Sequence, residues 1–147
     1  MDTPNTIAQR QALGLAGLVT AGFQKVGEWL IDQTGSGILL HGTTDKRAGV
    51  YVYAVGGVVH YVGSAQRGLH GRFRRYAITK TVRTSARIRS EIVVCLSRGD
   101  PVEIYALQPA LIDWNGLPVD LAAGLEEGLI RTLQPKWNIR SNPKVRP

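Results

Sequence analysis

Glu126 is the carboxylate of this chain whose position needs a chemical explanation. Ala122, Leu125, Leu129 and Leu133 recur at helical spacing and form an apolar stripe, and Glu126 falls on or beside it. Glu127 points away and has Arg131 four residues later, the spacing of an ordinary surface ion pair. A carboxylate on the inner face of a helix is costly unless it is paired or bound to a cation. Glu126 is therefore either a metal ligand or the partner of a buried arginine, and the pattern alone leans to the arginine. Three tyrosines raise a second question. Tyr51, Tyr53 and Tyr61 lie in β-branched, aromatic runs, and Tyr51 and Tyr53 share a face at period two. Strand tyrosines mostly pack, but a phenol can relay protons when a neighbouring charge or metal favours its ionised form.

The charge is concentrated. Ser64 to Arg98 holds nine basic residues against one acid, Glu91, a local charge of +8 in a chain of net charge +7 and pI near 10.0. Each lysine or arginine placed on a phosphate releases a condensed counterion, so the segment suits a polyanion; the alternative is a solvated basic surface. The three histidines, His41, His60 and His70, lack close metal-ligand spacing, and alternation sets His60 on the face opposite Tyr61, a structural position. Cys95, the single cysteine, excludes an internal disulfide and a cysteine zinc site and is expected to be buried. Trp29, Trp114 and Trp137 are read as packing anchors. No apolar stretch is long enough to span a membrane, and the expectation is a cytoplasmic protein.

The elements that must position these residues follow from periodicity. Val50–Val55 and Val58–Val62 read as antiparallel strands joined by Gly56-Gly57, a dipeptide suited to the positive φ of a tight hairpin turn. A basic helix is expected from about Leu69 and a longer one over about Ser85–Ser97, stopped by Gly99-Asp100-Pro101. Val102–Leu107 alternates as a third strand, and a last helix is expected over about Pro118–Leu133. Before Gly49 the pattern suggests a short helix in the first ~20 residues, a mixed stretch over Phe23–Ile31 and a short apolar run, Ile38-Leu39-Leu40. The length is that of one domain.

Gly49-Val50-Tyr51, nine intervening residues and then Tyr61-Val62-Gly63 resembles the paired tripeptide of the GIY-YIG nucleases. Leu69 and Arg72, with Tyr76 one helical turn on, are similar to the family's arginine-bearing helix. Glu126, Leu129-Ile130-Arg131, Pro135 and Asn138 match its C-terminal elements in order and spacing. The resemblance covers about 49–139. The loop before Arg72 is one residue longer than in many members, which leaves Arg74 or Arg75 as alternatives for the catalytic arginine.

The resemblance implies an α+β fold: a small antiparallel or mixed three-stranded sheet flanked by helices, with an N-terminal helical extension. It divides the chain into an extension (1–48), a nuclease core (49–140) and a basic tail (141–147). It further implies a DNA endonuclease, possible in restriction-like form, in which Glu126 holds a single Mg²⁺ or Mn²⁺. Tyr51 is the candidate general base, with Tyr61 orienting the water, Arg72 on the phosphate, and Tyr76 and Asn138 as further site residues. Arg74, Arg75, Lys80, Arg83, Arg87 and Arg89 are the candidate DNA contacts. A dimer or tetramer is expected, because one compact site cuts one strand. The rival readings are a structure-specific nickase of repair or recombination and a catalytically silent nucleic-acid-binding module.

Overall fold

The computed structural model of the protein describes residues 13–35, 37–43, 47–78 and 83–138, with backbone alone for 75–78 and 83–85. In chain order the elements are α1 (Leu15–Ala21), β1 (Gln24–Ile31), β2 (Ile38–Gly42), β3 (Gly49–Val55) and β4 (Val58–Ala65), then α2 (Leu69–Ile78), α3 (Arg83–Ser97) and β5 (Val102–Leu107), and last β6 (Ile112–Trp114), β7 (Leu117–Val119) and α4 (Leu121–Leu133). The main sheet has five strands in the order β2-β1-β5-β3-β4, every neighbouring pair antiparallel.

The expected three-stranded sheet is the β5-β3-β4 part of this larger one. The two further strands come from the segment before Gly49, which was expected to be a helical extension; α1 is its one helix among the described residues. β1 escaped notice because its sequence, QKVGEWLI, lacks clean alternation, and only Trp29 in it is fully buried. Pairing against β5 on one side and β2 on the other makes it a strand, a case of tertiary context overriding propensity. α4 also begins later than expected. Pro118 lies in β7, and Asp120 caps the helix by accepting a hydrogen bond from the Ala123 amide at 3.0 Å.

β3 is buried along nearly its whole length because helices cover both faces of the sheet. Tyr51, Tyr53, Leu69, Phe73, Ile88 and Ile92 fill the core on the α2–α3 side. Val50, Val52 and Val62 meet Leu18, Leu129 and Ile130 on the α1–α4 side. Taking Phe73, which is 1% exposed, out of water contributes about 1.5–3 kcal/mol. Cys95 is buried as expected, and burial raises its thiol pKa above the usual value.

β4 is an edge strand, and the chain beyond α4 closes it. The Trp137 amide donates to the His60 carbonyl at 2.8 Å. Asn138 accepts from the Val62 amide and donates to the Val62 carbonyl, both at 2.8 Å and both buried. These bonds satisfy an edge that would otherwise invite pairing with another chain. Trp29 and Trp137 are packing anchors, at 0% and 2% exposure, whereas Trp114 is 66% exposed on the small β6–β7 hairpin. That corrects the expectation for Trp114, whose neighbours pair only with each other. Among the described residues no helix is long and apolar enough to cross a membrane.

Candidate active site

Strand register brings the tyrosines together. Tyr53 pairs with Tyr61 and Tyr51 with Gly63, so all three phenols stand on the α2 face. The Tyr53 ring lies 5.4 Å from that of Tyr51 and 5.5 Å from that of Tyr61, with Phe73 5.1 Å from Tyr51. Gly63 makes this packing possible, since a Cβ there would lie 2.6 Å from both the Tyr51 Cζ and its hydroxyl oxygen. Tyr53 is the innermost phenol. Burial, then the Tyr51 and Tyr61 phenols, push its pKa well above the ordinary value, so it is a packing group rather than an acid–base one.

Tyr51 has a different neighbour. The Arg72 Nε donates to its hydroxyl oxygen at 3.3 Å, across 21 residues of chain. Arg72 sits in the first turn of α2, where its amide donates to the Gly68 carbonyl, and its side chain is half-buried. A guanidinium on a phenol oxygen favours the phenolate. It also presents a planar fork to any oxyanion nearby.

The second pair lies on the other face of β4. Ser64 follows Gly63, so alternation turns it toward α4, and its hydroxyl donates to Glu126 Oε1 at 2.8 Å. Gln66 Nε2 reaches Ser64 Oγ at 3.4 Å, which leaves the serine hydroxyl free to donate to the carboxylate. Among the described residues the partner of Glu126 is Ser64, not an arginine. Glu127 does pair with Arg131, at 2.9 Å on the exposed side of α4. Sequence reasoning passed over Ser64 and Gln66. The signal available was that Ser64, next in line after Gly63, alternates onto the face where the stripe of α4 docks.

Ser64 and Arg72 line one cleft of about 270 Å³ at the C-terminal end of β4, together with Gln66, Arg67, Gly68 and Gly71. Each pair thus touches the cleft through one member, Arg72 for Tyr51 and Ser64 for Glu126. Tyr51 itself is 0% exposed and reaches the cleft through Arg72. Among the described residues no three of His, Cys, Asp and Glu converge. A divalent ion at this place would have Glu126 as its carboxylate and would draw its other oxygens from water and substrate, a set that suits magnesium.

The remaining sequence candidates are distributed differently. Asn138 spends its side chain on the Val62 backbone. Arg74 is exposed, Arg87 and Arg89 are half-buried on α3, and none of the three lines the cleft. Arg75, Tyr76 and Arg83 stand on described backbone, but their side chains, like Lys80 as a whole, lie outside the described residues. So does the tail, 141–147.

Solved structures share this fold, two endonucleases among them. The chain superposes on a mutant form of bacteriophage T4 EndoII with a TM-score of 0.68 and 22% sequence identity, over 86% of this chain and 99% of the other. Restriction endonuclease HPY188I in complex with product DNA gives a TM-score of 0.51 at 13% identity, over 73% of this chain and 69% of that one. No protein-family model matches the chain, and no curated protein matches it.

Proposed function

We propose that the protein is a DNA endonuclease of the GIY-YIG type, hydrolysing phosphodiester bonds in the cleft at the end of β4. The observation that carries this reading is the convergence of Arg72 and Ser64 on that cleft, one bonded to Tyr51 and the other to Glu126. The fold shared with a phage EndoII and with a restriction endonuclease bound to product DNA supports it. So does the net charge of +7, which suits a polyanionic substrate.

Each residue then has a role set by its neighbours. Arg72 grips the non-bridging oxygens of the scissile phosphate with its bidentate fork. Tyr51 accepts the proton of the attacking water. The Arg72 Nε–H that donates to the Tyr51 oxygen at 3.3 Å places a positive charge to stabilise the phenolate that this step requires. Tyr61 packs the floor on which Tyr51 rests. Glu126 is the ligand of one Mg²⁺ or Mn²⁺, and Ser64 fixes the carboxylate by occupying Oε1. An ion held there by Glu126 would supply charge stabilisation at the leaving oxygen. Asn138 holds the end of α4 against β4 and so keeps Glu126 beside Ser64. One site cuts one strand, so double-strand cleavage requires two copies of the chain.

The test is incubation of supercoiled plasmid with the wild type and Glu126→Ala in Mg²⁺, with an EDTA control. Metal-dependent conversion to linear or discrete products, lost in the variant, is expected. Open circles alone would mean a nickase. Binding without cutting, identical in both proteins, would replace the enzyme with a binding module.

A further inference from the structure

Beside the cleft runs a second, larger depression of about 930 Å³, bounded by the chain before β3, the segment after β5 and the start of α4. Its walls are mostly apolar, with Pro109, Leu111, Pro118 and Ala122 among them, and three longer polar side chains border it: Arg47, Gln66 and Gln108. Two observations join it to the site already described. Gln66 lines both depressions and reaches Ser64 Oγ, whose hydroxyl meets Glu126. Ala122, in the groove wall, stands four residues before Glu126 and therefore on the same side of α4.

We propose that this groove is the subsite for one nucleotide next to the scissile phosphate, its base lifted from the stack and laid against the apolar wall. The inference rests on the nuclease reading of the adjoining cleft. A strand held at Arg72 and Ser64 reaches the groove by passing Gln66, which lines both depressions. The groove has what a base requires: mostly apolar walls, and the Gln66 and Gln108 amides that donate and accept at its edge, the chemistry by which glutamine reads adenine. Gln108 follows β5 and lines the groove beside Gly49, whose missing Cβ leaves room for the Gln108 Cγ. The electrostatics orient the ligand. Asp120 occupies the N-terminus of α4, bonded to the Ala123 amide, so the phosphate of the bound nucleotide belongs at the Arg47 side. Gln66 is then shared between the base and the Ser64–Glu126 pair, which couples the occupant of the groove to the placement of the catalytic carboxylate.

The experiment uses full-length protein carrying Glu126→Ala, so that DNA binds uncut, and duplexes with 2-aminopurine placed in turn at each nucleotide flanking the mapped cut. One position is expected to brighten on binding as its base leaves the stack. Ala110→Leu, at an exposed residue lining the groove, and Gln108→Ala should each remove that signal and weaken binding about tenfold. If no position brightens, or if both variants behave as the parent, the subsite does not exist. If Ala110→Leu alters only the sedimentation coefficient, the groove seats a second copy of the chain and the proposal fails. Plasmid cleavage by the unmodified protein is scored separately. Absence of cutting there sinks the nuclease reading, whereas a fluorescence response without cutting leaves a nucleotide site in a non-catalytic protein.

Discussion

The β3–β4 and β6–β7 hairpins turn in nearly the same way and meet opposite fates. The first turns through Gly56 and Gly57 at φ 57° and 78°, the second through Asn115 and Gly116 at 54° and 79°. Both dipeptides supply the positive φ that a two-residue hairpin turn requires. Yet β3 and β4 run for seven and eight residues within the five-stranded sheet, while β6 and β7 have three residues each and pair only with one another. Val50, Tyr51 and Val52 are fully buried; Leu111, Trp114 and Leu117 are 100%, 66% and 59% exposed. The turn code decides that a hairpin forms, and burial decides what it is for. The buried hairpin carries Tyr51, Gly63 and Ser64 and sets their geometry. The exposed one borders the groove beside them.

The largest expected effect breaks the edge that secures the first hairpin. Asn138→Ala leaves the Val62 amide and carbonyl buried without partners and should lower stability by about 2–4 kcal/mol, measured as a shift in the urea midpoint. Gly63→Ala comes next. Its Cβ would press on the Tyr51 ring, which Phe73 and Tyr53 keep from moving away. About 1–3 kcal/mol of stability should be lost, together with DNA cleavage, since the Arg72–Tyr51 geometry is displaced. Ser64→Ala should leave the urea midpoint close to wild type and weaken Mn²⁺ binding about tenfold by calorimetry, with Ser64→Thr restoring it. The two turns can be compared directly. Gly57→Ala should cost about 1 kcal/mol of global stability, because a left-handed alanine is strained there. Gly116→Ala should leave the global midpoint unchanged, because the small hairpin can open without the core. Equal effects would show that β6–β7 unfolds with the rest of the protein. Trp114→Ser should alter stability by less than about 0.5 kcal/mol.

The same contrast accounts for what the sequence discloses. The β3–β4 hairpin, the stripe of α4 and its Glu127–Arg131 pair are legible because their signals are local and periodic. β1 is not, since Lys25 and Glu28 interrupt its apolar residues and its strand character comes from its neighbours. Lys25 is in fact bonded to Glu103 on β5 at 2.8 Å, which raises its pKa, so its polarity belongs to the sheet. Pro118 looked like a helix start because proline favours the first turn; the cap is Asp120, two residues on. The candidate site was half visible. Glu126 and Tyr51 drew attention by type and position and Arg72 only through the family resemblance, but the Ser64–Glu126 bond spans 62 residues and leaves no trace in any local window. The groove, assembled from four separated segments, could not be read from the sequence at all.

The most direct test of the central claim is single-turnover cleavage of one duplex in Mg²⁺ by the wild type, Glu126→Gln and Arg72→Ala, with folding of each checked by its urea midpoint. The account predicts a measurable wild-type rate, a fall of at least about a hundredfold in each variant, and unchanged midpoints. Cleavage by Glu126→Gln at the wild-type rate would contradict it, because the carboxylate held by Ser64 would then have no part in cutting DNA.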